Sequence, residues 1–179
     1  MSKVGKDEII RAAEEVVREK GARKLTLDAV AAQCGLSKGG LLHHFRTKQA
    51  LLQAMLESAV AREGGCAADY LARAGDGPGT ALAARIHSMF SLMQDDESLP
   101  RSLIAAVAED PALLEPIREK EERVRREICA SVKDPELAQL LLFASRGMFF
   151  ARVFGLMEPG DPQFERLRER LLAMAADID

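Results

Sequence analysis

Between Asp28 and Glu57 the chain carries no carboxylate, yet Lys38, His43, His44, Arg46 and Lys48 all fall there. Positive charge without internal neutralisation creates a local field suited to a polyanion, even in a protein of net charge −3. The spacing of the polar residues sharpens this. Lys48 is expected in the first turn of a helix, where the backbone dipole disfavours a cation slightly until an anion arrives and reverses the sign. A phosphate seated at that terminus would meet both free N–H groups and the Lys48 ammonium. Thr26, at another helix start, offers a hydroxyl and a backbone N–H to a phosphate, whereas Ser37 is expected to spend its hydroxyl on capping. Lys38, Gly39 and Gly40 then open a short helix whose first residues suit base edges or phosphates of a major groove, the paired glycines allowing close backbone approach. Leu42, His43 and His44 follow on that helix. His44 either contacts the same ligand or packs within the small domain.

Other chemistries find little support. No Ser or Cys nucleophile has a plausible base, and H-E-x-x-H, a Glu-x-x-His pair and a glycine-rich phosphate loop are all missing. His43 and His44 are poor joint metal ligands because adjacent helical residues point about 100° apart. Neither a metal nor a cofactor is expected, and an all-helical enzyme is the weakest of the readings considered. Cys34, Cys66 and Cys129 are an odd number at wide spacing, which fits a reducing cytoplasm better than a disulfide framework. The start, MSKVGKDEIIRAAEEVV, has no apolar core of signal-peptide length. The most apolar stretch, Leu137 to Met157, carries Arg146 and Arg152, charges that a bilayer centre disfavours. No membrane association is expected.

The elements that must position these residues are helical. Ala, Leu, Glu and Arg dominate, Tyr occurs once and Trp not at all, a composition that favours an all-α fold. Mean hydropathy is −0.09 with 30% charged residues, as in a soluble globular domain. Charge is split: residues 1–50 carry +4 and residues 51–179 carry −7. Apolar residues Ile9, Ile10, Ala13, Val16 and Val17 predict a first helix over about 6–20, ended by Gly21. Thr26 caps a second helix of about eight residues that stops at Gly35, and Ser37 caps a third over 38–44. The pair with its short turn is a helix-turn-helix, with Leu41 and Phe45 as core anchors. Thr47 caps a fourth helix to about Arg62. Gly64-Gly65 is expected to bend it or mark a hinge, although helix could resume at a cost of about 1 kcal/mol per glycine. GDGPG at 75–79 is a firm break.

Further helices are expected over 80–94, 99–108, 117–132 and 136–154. In the third of these, Glu119/Arg123, Glu121/Arg125 and Glu122/Arg126 lie at i,i+4 on what reads as a solvated face. The helix over 136–154 is apolar nearly all round and must be buried on more than one side. Its small residues Ala144, Gly147 and Ala151 would allow another helix close. Phe164, Leu167, Leu171, Met174 and Ile178 recur at spacings of 3, 4, 3 and 4, a helix-packing seam. A symmetric homodimer is preferred, burying Leu141, Ala144, Gly147, Met148, Ala151, Phe164, Leu167, Leu171 and Met174 against their copies. The alternative is that both helices are core in a monomer.

The run LTLDAVAAQCGLSKGGLLHHFRTKQALL, from Leu25 to Leu52, resembles the helix-turn-helix of the TetR/AcrR family of repressors. Thr26, Val30, Ala31, Gly35, Ser37, Leu41, His44, Phe45, Lys48 and Leu51 stand where that family's pattern places them. The resemblance covers roughly residues 6–60. It departs at Gly40 and Leu42, where members often carry Thr and Tyr, so one hydroxyl and one phenol contact to phosphate are lost. The resemblance implies about nine helices: a three-helix DNA-binding domain at 3–63, with its motif at about 26–45, and a helical effector-binding and dimerisation domain at 64–179. It implies a homodimeric repressor released from double-stranded operator DNA by a small molecule. Thr26, Ser37, Lys38, Gly39, Gly40, Leu42, His43, His44 and Lys48 are the expected DNA contacts. Met89, Phe90, Met93, Phe143, Arg146, Phe149 and Phe150 are the candidates for an apolar effector pocket. Arg146, a charge on an apolar helix, needs a partner, either Asp95, Glu109 or an anionic ligand. A partner-binding scaffold without DNA binding is the competing reading.

Overall fold

The computed structural model describes residues 4–75, 77–92, 98–158 and 160–178. Among them are nine α-helices and no strand, so the all-α expectation holds. The chain forms two packing units. Of the described residues, one comprises 4–59 and 98–116, the other 60–75, 77–92, 117–158 and 160–178. Residues 98–116 thus group with the amino-terminal residues rather than with the segments that flank them in sequence.

In the first unit, α1 (Lys6–Lys20) buries Ile9, Ile10, Ala13, Val16 and Val17, its periodic apolar face. The Gly5 N–H donates to Glu8 Oε2 at 2.8 Å. Gly21, at φ +82°, ends the helix with its N–H on the Val17 carbonyl. Next, α2 (Leu27–Gln33) buries Val30 and Ala31, and α3 (Lys38–His44) buries Leu41. Between them Gly35 adopts φ +68°, a conformation costly for any residue with a Cβ, and this sets the turn. Phe45, Leu51 and Met55 complete this core, and α6 (Ser98–Glu109) packs against α1.

The helix α4 (Lys48–Ala74) runs through Gly64-Gly65 without a break. Helix therefore continues through the two glycines, as the alternative reading allowed. The intrinsic cost of two glycines is outweighed by tertiary contacts on either side of them, at buried Glu63 and at Tyr70, which packs against the core of the second unit.

That second core is made by α5 (Pro78–Ser91), α8 (Pro135–Val153) and α9 (Pro162–Ala176), with Ile128 from α7 (Glu115–Ser131). Leu82, Ile86 and Phe90 meet Leu141, Leu142, Phe164, Leu171 and Ala175. Phe90 and Phe164 pack edge to face, with centroids 5.6 Å apart. At Gly79 the backbones nearly touch: a Cβ there would overlap the Ala175 carbonyl oxygen and lie 2.9 Å from that of Ala176.

Candidate nucleic-acid interface

Three hydroxyl residues cap three successive helix starts. Thr26 Oγ1 accepts from the Ala29 N–H at 3.1 Å, Ser37 Oγ from the Gly40 N–H at 3.1 Å, and Thr47 Oγ1 from the Ala50 N–H at 3.0 Å. Each bond uses an oxygen lone pair and leaves the hydroxyl proton available to an acceptor. The foremost amides of each first turn have no intrahelical partner, so each start still presents donors to an anion.

Around these starts, Thr26, Ser37, Lys38, Gly39, His43, Arg46 and Lys48 are exposed, while Gly40, Leu42 and His44 are half-buried. Leu41 and Phe45 are core, as their spacing requires. The His43 and His44 rings meet edge to face at 5.7 Å, and His44 keeps part of its surface open. A Cβ on Gly39 would meet nothing within 4 Å, whereas one on Gly40 would sit 3.4 Å from Ser37 Oγ. The fold therefore does not itself require glycine at 39.

Sequence reasoning missed two partners here. Lys38 Nζ lies 3.0 Å from Asp28 Oδ1, in an ion pair whose members are both about two-thirds exposed. Such a pair is worth about 1 kcal/mol or less and would yield readily to a phosphate. Gln49, at the start of α4, donates to Asp110, which also accepts from the Ala112 N–H at 3.1 Å. Nothing in the local pattern of α4 pointed to a partner 61 residues away.

In the second unit the candidate pocket residues differ in burial. Phe90 is core, Met89 and Phe149 are half-buried, and Phe143 and Phe150 are 56% and 42% exposed. Met93 and Asp95 lie outside the described residues, as does the side chain of Glu109. Arg146 finds its partner in Glu121, which it ion-pairs, and also lies over the Phe143 ring at 5.6 Å. Glu121 consequently does not belong to the solvated face that i,i+4 counting suggested. It joins a buried cluster in which Arg85 bridges Glu121 and Glu63. Lys120 Nζ reaches Glu63 Oε2 at 2.6 Å and the Val60 carbonyl at 2.9 Å, and Ser88 Oγ donates to Glu63 Oε1 at 3.2 Å. Burial, with Arg85 and Arg123 nearby, pulls the Lys120 pKa down to about 8.

The expected interface residues divide in two. Leu141, Phe164 and Leu171 are buried within the chain itself, because the α9 seam packs on α5 and α8 of its own unit. Ala144, Gly147, Leu167 and Met174 are exposed, and Met148 and Ala151 half-buried. On α8, Ala144 and Gly147 lie among exposed Leu140, Phe143 and Phe150, with Phe154 just past the helix end, and these make an apolar outer stripe.

Two family models match the chain: "Bacterial regulatory proteins, tetR family" over residues 9–55, and "Tetracyclin repressor-like, C-terminal domain" over residues 79–176. The HTH-type transcriptional regulator BetI of Stenotrophomonas maltophilia is 29% identical over 129 residues, 70% of this chain and 66% of that protein. UidR of Escherichia coli, also an HTH-type transcriptional regulator, is 40% identical over 58 residues, 30% of each. The chain thus spans just under two thirds of the one relative and less than a third of the other. A TetR transcription regulator from Haloarcula marismortui shares the fold at a TM-score of 0.77 and 20% identity, covering 97% of this chain and 98% of its own.

Proposed function

This chain belongs to the tetR family of bacterial regulatory proteins, and from that premise we propose that it is a sequence-specific DNA-binding transcriptional regulator rather than an enzyme. It acts as a homodimeric repressor in the cytoplasm and responds to a small molecule. The observation that carries this reading is the exposed amino-terminal surface: hydroxyl-capped starts at Thr26, Ser37 and Thr47, with Lys38, His43, Arg46 and Lys48 exposed beside them.

In this arrangement α3 enters the major groove by its amino-terminal end. Gly39 brings backbone against the groove, and Lys38 exchanges Asp28 for a phosphate. Lys48 and the first amides of α4 clamp the backbone, and the Thr26 hydroxyl holds another phosphate. The outer stripe of α8, with Leu167 and Met174 of α9, supports pairing with a second copy. A row of exposed large apolar side chains of this kind is costly to leave in water. Two recognition helices about 34 Å apart would then read a near-palindrome. No described helix is long and apolar enough to cross a membrane.

Gel retardation with the DNA upstream of the protein's own reading frame, at rising salt, tests the proposal. Retention that survives competitor DNA is expected. No retention even at low salt would overturn it.

A further inference from the structure

The second unit contains a recess that DNA binding does not use. It is an open hollow of about 370 Å³, lined by Tyr70, Arg73 and Ala74 at the end of α4 and by His87 of α5. That lies at the small end of the roughly 300–1,000 Å³ typical of sites for small organic ligands.

Its walls state what would fit. The Tyr70 and His87 rings lie 5.1 Å apart, tilted by 39°, and with the Ala74 methyl they offer apolar surface. Burial, then Arg168 of α9 and Arg73 of α4, hold the His87 pKa below its ordinary value, so the imidazole is neutral among cations and offers one N–H. The two arginines are not equivalent. Arg168 Nε lies 2.8 Å from Glu165 Oε2, which neutralises it. Arg73 Nε donates to the Asp69 backbone carbonyl at 3.0 Å, a bond that orients the guanidinium without cancelling its charge. Its two Nη groups keep the forked geometry that matches a planar carboxylate.

We infer that this recess binds a small carboxylic acid, with the carboxylate on Arg73 and His87 and a compact apolar body against Tyr70 and Ala74. The inference deepens the ligand-responsive reading and rests on it for regulatory meaning, while binding itself is measured without DNA.

The chain supplies its own reporter, since Tyr70 is the single tyrosine and tryptophan is absent. The full chain, free of DNA, is titrated with cyclohexanecarboxylate and with the neutral cyclohexanecarboxamide, neither of which absorbs where tyrosine is excited. Calorimetry is run in parallel. The acid should give a saturable change in Tyr70 emission with matching heat, the amide at least tenfold weaker binding. Arg73 is exposed, so Arg73→Gln should keep its helical circular dichroism yet bind the acid at least tenfold more weakly. Equal binding of acid and amide, no emission change or heat with either, or Arg73→Gln binding like wild type would each overturn the inference. Gel retardation by the ligand-free chain is independent of all three outcomes. Failure here therefore leaves the DNA-binding proposal standing, and failed retardation with intact acid binding sinks only that proposal.

Discussion

Replacing Lys48 by alanine isolates the electrostatic part of the DNA-binding proposal. The side chain is exposed at the first residue of α4, and its loss leaves the Thr47 to Ala50 capping bond intact, so stability should move by less than about 0.5 kcal/mol. Each phosphate neutralised by a cation contributes about 0.9 to the slope of log affinity against log salt. A dimer lacking both ammonium groups should therefore show a slope shallower by about two. Between 50 and 200 mM salt one such contact changes affinity about 3.5-fold, and two change it about twelvefold. Wild type should accordingly lose about twelve times more affinity than the variant over that range. Fluorescence anisotropy with a labelled operator and a scrambled duplex, at four salt concentrations, measures this directly. Because a phosphate contact carries no base information, the two duplexes should lose affinity alike. A variant with wild-type slope, or one that weakens only on the operator, would refute the clamp at the start of α4.

The glycines make opposed predictions. Gly64→Ala and Gly65→Ala, where an added Cβ meets nothing within 4 Å, should each stabilise the chain by about 1 kcal/mol, while Gly79→Ala should cost about 1–3 kcal/mol by forcing α5 from α9; urea denaturation separates the two cases. Phe143→Asp, on the exposed stripe of α8, should raise the dimer dissociation constant about a thousandfold, at about 2 kcal/mol for each of two copies, read by sedimentation equilibrium. Lys120 fixes a pH dependence. With its folded pKa at about 8 and the unfolded value at 10.5, both states are protonated below about 8 and the cost of burying the charge is fully present. Between the two values only the unfolded state holds the proton, so stability rises with pH. The gain in melting temperature from pH 7 to 9 should be smaller in Lys120→Met than in wild type, and an identical gain would exclude Lys120 as its source.

How much of this was legible beforehand depended on whether a signal was local. The helices α1 and α3 read to the residue, because Gly21 ends the one and Ser37 caps the other within the chain's own next turn. The continuity of α4 was not legible. Two consecutive glycines carry the same intrinsic penalty whether or not distant helices hold the segment helical, and the holding is done from α5 and α7 through Glu63. The role of Glu121 was hidden for the same reason: counting i,i+4 sees only α7, while Arg85 and Arg146 come from other helices. The 3,4 spacing in α9 announced that something packs there. It carried no information on whether the partner was a second copy or, as found for Phe164 and Leu171, the α5 and α8 of the same chain.

These placements give the charge asymmetry a different meaning from its count. In the amino-terminal unit Lys38, Arg46 and Lys48 lie in water, where Asp28 holds Lys38 weakly and leaves its field available to a ligand. In the second unit Arg85 and Lys120 are buried and matched to Glu63 and Glu121, so they project little outward and serve to tie α4, α5 and α7 together. Removing one partner of that buried set, as in Glu63→Gln, strands Arg85 and Lys120 without their shared carboxylate, whereas removing Asp28 would only free Lys38. A cation's accessibility, more than its position in the count, decides whether it can meet a phosphate.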